Sequence, residues 1–432
     1  MFGYHIKRGD TMENPKYLVI LSIDALSTKD FNYLKNLKGF KTLINNGSYI
    51  DKVKTVYPSL TYPAHTTVIT GKYPKNHGVV SNKILQEGIL DRQWHWYRKY
   101  ISGDTLYDAA RRNGLKVASL LWPVTAGAKI KYNLPEIWGT KSWEKDALKV
   151  LFSGSKPFIL DLELRFGKLR QGVKQPYLDN FICESTAHTI KTKKPNLTLV
   201  HFIDLDTQKH DYGIESKQVK EALDRMDLKV QKIITALKES GIYDETAIIA
   251  FGDHSQLNAN KKIKPNVLFL ENDLISLNSK GHILDYDAYF DSCDGSGYVY
   301  VKSHKNLNTV KCILENLKSK GFIENIYTTD EAKDLGANSN CSFMIEASKG
   351  YYFGDEIIGD YLEHLPSYIG QHGYSPLKED YTAAFVASGK GIKKGVYLNE
   401  GHIINYAKTF SYLLGFEMKE AQGKIMKEIL DI

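Results

Sequence analysis

The sequence predicts an α/β fold in which a mostly parallel sheet is covered by helices on both faces. Two observations carry that expectation. Continuous apolar runs of strand length recur along the chain, and the stretches between them show helical periodicity. A strand buried on both faces reads as an unbroken apolar run rather than an alternation, as strands of a parallel sheet do.

The first run is Tyr17–Asp24 (YLVILSID), which ends in a carboxylate. Leu115–Trp122 (LKVASLLW), Leu197–Asp206 (LTLVHFIDLD) and Thr246–Asp253 (TAIIAFGD) share its form, and Thr382–Ser388 (TAAFVAS) is a fifth candidate. The clearest helix spans about Ser216 to Ser240. Val219, Leu223, Met226, Val230, Ile233, Ile234 and Leu237 fall at three- and four-residue steps on one face, and Gly241 supplies the stop. Asp104–Gly114 reads as a shorter helix with an acidic start and a glycine end.

Two stretches break the rhythm. Residues of about 125–190 are mixed in composition and are read as a small insertion. Residues 256–371 hold a strand pattern at Gly297–Lys302 and a helix pattern at Leu307–Lys320, and are read as an inserted cap subdomain. The expected organisation is a polar lead over 1–16, a catalytic core over 17–255 and 372–432, and the cap between its two parts.

Composition narrows the class. The 432 residues can bury a large core without staples. Lys and Arg exceed Asp and Glu by 57 − 50 = 7, a mild excess that favours a small anionic substrate. No long basic block suggests a stable nucleic-acid partner. Cys183, Cys293, Cys312 and Cys341 form no CxxC pair, so a cysteine zinc site is not expected. The segment Met1–Pro15 has no apolar signal core, and no run of about 18 apolar residues appears, so no membrane association is expected and cytoplasm is the expected location.

Ligands in open α/β sheets bind beyond the carboxyl ends of the strands. Three predicted strand ends carry metal-type side chains: Asp24, Asp206, and Asp253 with His254. His210 follows Asp206 by four residues, and His372 lies in Gly370-Gln-His-Gly373. Three carboxylates and three imidazoles suit zinc, and six ligands divide naturally into two sites of three. Two-metal sites suit phosphoryl transfer.

The segment Thr55–Asn82 (TVYPSLTYPAHTTVITGKYPKNHGVVSN) is the most specific stretch. It resembles the nucleophile region of the nucleotide pyrophosphatase/phosphodiesterase branch of the alkaline phosphatase superfamily. That branch carries a Thr followed by aromatic-Pro, a His, and then TG-x-x-P-x-x-HG. Ile23-Asp24-Ala25, Asp206-x-x-x-His210, Gly252-Asp253-His254 and Gln371-His372-Gly373 match its ligand motifs in order, and Ile403–Leu430 is similar to its closing helices. The resemblance implies an alkaline-phosphatase-like three-layer sandwich. It implies two Zn2+ ions, with other divalent transition metals as alternatives. Asp206, His210 and His372 would hold one, and Asp24, Asp253, His254 and the Thr61 oxygen the other. It makes Thr61 the nucleophile of a phosphothreonine intermediate, and Asn82 a ligand of a phosphoryl oxygen.

The expected activity is metal-dependent phosphodiester or phosphoanhydride hydrolysis, a nucleotide being one candidate substrate. Tyr62, directly after the nucleophile, is placed to stack on a base. His201 stands where relatives often carry a tyrosine, and Trp122 and the aromatic cluster Trp94-His95-Trp96-Tyr97 are candidate walls of the pocket. The alternatives on the same metals are a phosphonoacetate-hydrolase-like cleavage of C–P bonds, for which Lys83, Lys129 and Lys131 are candidate carboxylate partners, and phosphomonoester hydrolysis.

Overall fold

A computed structural model describes residues 14–89, 92–139 and 146–431. Most of the polar lead and a few residues of the 125–190 stretch lie outside the described residues. An eight-stranded sheet forms the centre. In chain order its first six strands are β1 (Tyr17–Ile23), β2 (Gly47–Lys54), β3 (Val117–Leu120), β4 (Tyr132–Leu134), β5 (Leu197–Phe202) and β6 (Thr246–Phe251). The strands Ala383–Gly389 and Val396–His402 complete it. Across the sheet the order is Val396–His402, β2, Ala383–Gly389, β6, β1, β5, β3, β4.

Seven strands share one direction. Ala383–Gly389 alone runs against its neighbours β2 and β6. The expectation of a strand there holds, and with one strand reversed the sheet is mostly parallel, as expected. A central strand is buried on both faces whichever way it runs, so the apolar run carries no information on direction.

Alternation along β1 builds the layers. Leu18 and Ile20 enter one apolar cluster, while Val19, Leu21 and Ile23 enter the other. The first cluster packs the sheet against Thr61–Thr70, Leu106–Arg112 and Tyr406–Leu413. The second packs it against Tyr177–Lys193 and Lys217–Glu239. The expected three-layer α/β sandwich is thus present. Ser216 caps Lys217–Glu239 by accepting from Val219 N–H, and Gly241 follows in the left-handed region at φ +68°.

The stretch 125–190 gives β4 to the main sheet and three helices, Asp146–Ser153, Lys156–Phe166 and Tyr177–Lys193. The last helix hid from its sequence because Asp179, Ser185, Thr186 and Thr189 are buried polar positions on it. Residues 257–371 fold into a four-stranded antiparallel sheet and a three-stranded sheet around a separate apolar cluster. The closing stretch Ile403–Leu430 contains one α-helix, Tyr406–Leu413, flanked by short 3-10 turns. No helix among the described residues is long and apolar enough to cross a membrane.

Candidate metal centre

The site sits where adjacent strands end. Asp24 follows β1, and Asp253 and His254 follow β6. Asp206 is not at a strand end. β5 stops at Phe202, and Asp204–Tyr212 is helical, with Asp206 in its first turn. The apolar Ile203 and Leu205 extend the strand pattern in sequence, but here they enter a helix. That helix sets His210 one turn from Asp206, with Nε2 3.4 Å from Oδ1. His372 directly follows the strand Leu362–Gln371, and Gly373 beyond it turns at φ +81° with the Cys293 carbonyl where a Cβ would stand.

Ligand atoms of Asp24, Asp253 and His254 lie within 4.8 Å of one another, and so do those of Asp206, His254 and His372. His254 therefore joins the two groups. His210 lies beside the second, its ring 4.9 Å from that of His372. Thr61 opens the helix Thr61–Thr70, and its Oγ1 stands 3.2 Å from His254 Nε2.

Each carboxylate of the first group has one oxygen fixed by the protein. Asp253 Oδ1 accepts from the Ala25 N–H at 3.1 Å, and Asp24 Oδ2 pairs with His201 Nε2 at 3.1 Å. The other oxygens, Asp24 Oδ1 and Asp253 Oδ2, are buried without a hydrogen-bond partner, as is His372 Nδ1. His254 Nδ1 faces the Ser255 carbonyl at 3.2 Å, so Nδ1 carries the proton and Nε2 is left as a lone-pair donor. Orphaned buried carboxylate oxygens and ring nitrogens of this kind cost free energy unless a cation satisfies them. The residues fit divalent metal.

Electrostatics agree. Burial, together with Asp206 and Asp253, pushes Asp24 well above the usual carboxylate range. Burial also opposes ionisation of Asp206 and Asp253. The imidazole of His210 nevertheless holds Asp206 low, and those of His254 and His65 hold Asp253 low. Burial would lower His210, but Asp206 raises it to about 9. Burial, then His254 and His210, hold His372 well below its ordinary value. A cluster in which like charges push each other's protons on and off is one that bound cations would relieve.

Asn82 lines the cavity beside Thr61. Its Oδ1 accepts from the Tyr62 N–H at 2.9 Å, which leaves the amide NH2 as the group free to donate. Tyr62, His201 and Trp122 do not line the cavity. All three are fully buried behind it. The Tyr62 hydroxyl donates to Glu136 Oε1 at 3.0 Å, His201 Nδ1 meets Glu136 Oε2 at 2.9 Å, and Trp122 packs edge-on against His65. Their expected substrate contacts are thus corrected to support of the floor. Trp94, from the aromatic cluster expected to wall the pocket, lines the cavity, and so does Trp138.

Four residues of the surroundings were not expected. Glu136 links Tyr62 to His201 and so to Asp24. Gln256 donates from Nε2 to Asp206 Oδ1. His65 Nδ1 donates to the Thr61 carbonyl at 2.8 Å, and its four-residue spacing from Thr61 was a legible signal. Asp294, on a hairpin turn, stands 3.5 Å from His372 Nδ1. Lys83, Lys129 and Lys131 are absent from the cavity lining, which includes no lysine among the described residues.

A family model described as type I phosphodiesterase / nucleotide pyrophosphatase matches residues 18–375. Ectonucleotide pyrophosphatase/phosphodiesterase family member 1 of Homo sapiens is 25% identical over 253 residues, which covers 56% of this chain and 24% of that protein. A venom phosphodiesterase of Macrovipera lebetinus is 22% identical over 398 residues, covering 87% of this chain and 40% of that protein. The chain matches only 24% to 26% of the length of the first curated relatives. Among solved structures, murine ectonucleotide pyrophosphatase/phosphodiesterase 5 superposes with a TM-score of 0.69 at 18% identity, covering 96% of this chain and 100% of that one. An inactive variant of the same murine protein in complex with AMP gives 0.68 at 18% identity, covering 97% and 100%. At that identity the likeness speaks for the fold.

Proposed function

Because the chain belongs to the type I phosphodiesterase / nucleotide pyrophosphatase family, we propose that it hydrolyses phosphodiester or phosphoanhydride bonds by attack of Thr61 Oγ1 on phosphorus. Asp24, Asp253 and His254 would hold one zinc and Asp206, His210 and His372 a second, with His254 close enough to both groups to exchange between them. Bound there, the ions would supply Lewis-acid activation of the hydroxyl and neutralise phosphoryl charge.

The single observation that carries this reading is the place of Thr61. It begins a helix, where backbone N–H groups and the helix dipole favour an anion, and its hydroxyl faces the shared His254 at 3.2 Å. The chain's own residues do the rest. The Asn82 amide is aimed to donate to a non-bridging phosphoryl oxygen. His65, through the Thr61 carbonyl, fixes the backbone that carries the nucleophile. In-line attack would form the Thr61 O–P bond as the bond to the leaving group breaks, and water would then cleave the phosphothreonine.

A neutral donor such as Asn82 suits a diester, which carries less charge than a monoester dianion. The C–P alternative needs a cation for the substrate carboxylate; among the described residues no lysine lines the cavity, and its guanidinium, Arg170, is engaged by Glu163 at 2.9 Å. A nucleotide substrate draws support from the AMP complex of the murine neighbour. The test is Thr61→Ala assayed on bis-p-nitrophenyl phosphate with metal content measured in parallel. Turnover should vanish while metal remains bound. Full turnover in the variant, or far faster cleavage of p-nitrophenyl phosphate than of the diester by the unaltered protein, would refute the proposal.

A further inference from the structure

We propose that Lys209 is a positioning residue that ties the two groups of candidate metal ligands into one unit, so that the two ions are taken up together. The inference rests on the two-ion part of the proposed function and adds to it a residue outside the ligand set. The two groups share His254 alone. Asp24, Asp253 and His254 stand at the ends of β1 and β6, whereas Asp206 and His210 ride on the helix Asp204–Tyr212. The spacing of the ions therefore depends on how that helix docks against the strand ends.

Lys209 directly precedes His210 on that helix and is 1% exposed. A lysine is almost never buried so far unless its charge is paired. Its Nζ donates to the Ala25 carbonyl at 2.7 Å and to Asp30 Oδ2. Asp30 Oδ2 also accepts from the Ser27 N–H at 2.8 Å, so the carboxylate that receives the ammonium is itself fixed. Ala25 follows Asp24 and holds φ at +60°, in the left-handed region that residues other than glycine seldom adopt. In that conformation its N–H reaches Asp253 Oδ1 at 3.1 Å while its carbonyl reaches Lys209. The carbonyl of Lys209 in turn lies against Gly370, where a Cβ would stand 2.7 Å from the oxygen, two residues before His372. Lys209 thus touches the segments that carry Asp24 and His372, and reaches Asp253 through Ala25.

Packing does not replace this tie. Lys209, Asp30, Ser27, Ser255 and Gln256 line a second cavity of about 470 Å³, which shares no lining residue with the catalytic one among the described residues. Open space on this face leaves polar bonds to fix the helix, those of Lys209 and that of Gln256 to Asp206. An ion in the first group orders Asp24 and Asp253, and with them Ala25. Through Lys209 the helix is ordered too, so a second ion meets ligands already in place.

The experiment titrates Mn2+ into the metal-free whole chain and into Lys209→Met, with electron paramagnetic resonance separating exchange-coupled pairs from single ions. Zn2+ affinity is measured in parallel by competition with a chelator. The unaltered chain should show coupled pairs from the first additions. Lys209→Met should hold its second ion about 10- to 100-fold more weakly and pass through a singly loaded form. Lys209→Met combined with Asp30→Asn leaves no unpaired buried carboxylate, so it separates lost coupling from lost folding and should show the same weakening. A structural ion pair alone would lower the urea midpoint and leave the ratio of the two affinities unchanged. That result, or a singly loaded unaltered chain ahead of any pair, overturns the inference and leaves the two-ion site standing. An unaltered chain that takes up one ion only refutes the two-ion reading, and the inference with it.

Discussion

Replacing Asn82 separates a chemical role from a structural one. Its amide is tied at one end only, with Oδ1 accepting from the Tyr62 N–H at 2.9 Å in the first turn of the Thr61 helix. The other end faces the cavity. Asn82→Ala removes a preorganised donor to developing charge, a loss of about 10²–10³ in kcat, or about 3–4 kcal/mol. It also strips the Tyr62 N–H of its partner at a buried position, which costs about 1–3 kcal/mol of stability. Asn82→Asp keeps an acceptor for Tyr62 and presents negative charge to the substrate. Steady-state kinetics on a diester and urea unfolding should therefore diverge. The alanine variant loses both rate and stability, whereas the aspartate variant holds its stability and loses rate at least as far. An alanine variant within tenfold of normal kcat would refute the donor role. An aspartate variant as unstable as the alanine one would refute the pinning of Oδ1.

Three further outcomes are expected. Glu136→Gln removes the carboxylate that holds Tyr62 and His201 in place, so His201 no longer orients Asp24. Metal affinity measured by competition with a chelator should fall about 10- to 100-fold, and unchanged affinity would show that Asp24 needs no such support. Arg92 is buried between Asp291 and Asp355, and Arg92→Ala should cost about 3–5 kcal/mol in urea unfolding because it leaves two carboxylates unpaired; a loss under 1 kcal/mol would contradict this. His77 is fully buried and neutral, its Nδ1 accepting from the Val79 N–H and its Nε2 meeting Thr67 Oγ1, each at 3.1 Å, and burial holds its pKa down at about 3. A group depressed from about 6.5 takes up its proton more readily when unfolded, so stability is complete above pH 6.5 and is lost as pH falls from there through 3, by at most about 5 kcal/mol. His77→Asn should flatten that slope in urea unfolding at pH 7.5 and 5, and an equally steep fall would exclude His77 as its source.

The parts of the site that were legible in sequence are those set by local pattern. A strand buried on both faces announces its end, so Asp24 and Asp253 could be placed. The four-residue spacing of Asp206 and His210 survived even though the helix beneath it was read as strand. Glu136 had no such signal. It follows the three-residue strand β4 and meets Tyr62 and His201, 74 and 65 residues away, through contacts that only the tertiary fold creates. Tyr62 and His201 were misread for the same reason. An aromatic beside a nucleophile can face substrate or core, and the buried carboxylate that decides the matter lies elsewhere in the chain. The expectation of stacking came from family position, and position along a motif does not fix which way a side chain turns.

The convergence of residues 24 to 372 follows from sheet order rather than from any one motif. Five contiguous strands, β2, Ala383–Gly389, β6, β1 and β5, each bring a segment to the same edge. β1 and β6 deliver Asp24, Asp253 and His254 at their carboxyl ends, β5 leads into the helix of Asp206 and His210, and β2 leads through Thr55–Leu60 into Thr61. Neighbouring strands lie about 4.8 Å apart, so these ends bring the candidate ligands within reach of one another. A parallel strand would reach this edge at its end, so the chain before it would approach from the opposite side. Because Ala383–Gly389 is reversed, its amino end meets the carboxyl end of β6, with Phe385 opposite Phe251. The segment leading into it therefore crosses the same edge and carries His372 there. The reversed strand is thus the one whose lead-in segment completes the candidate ligand set.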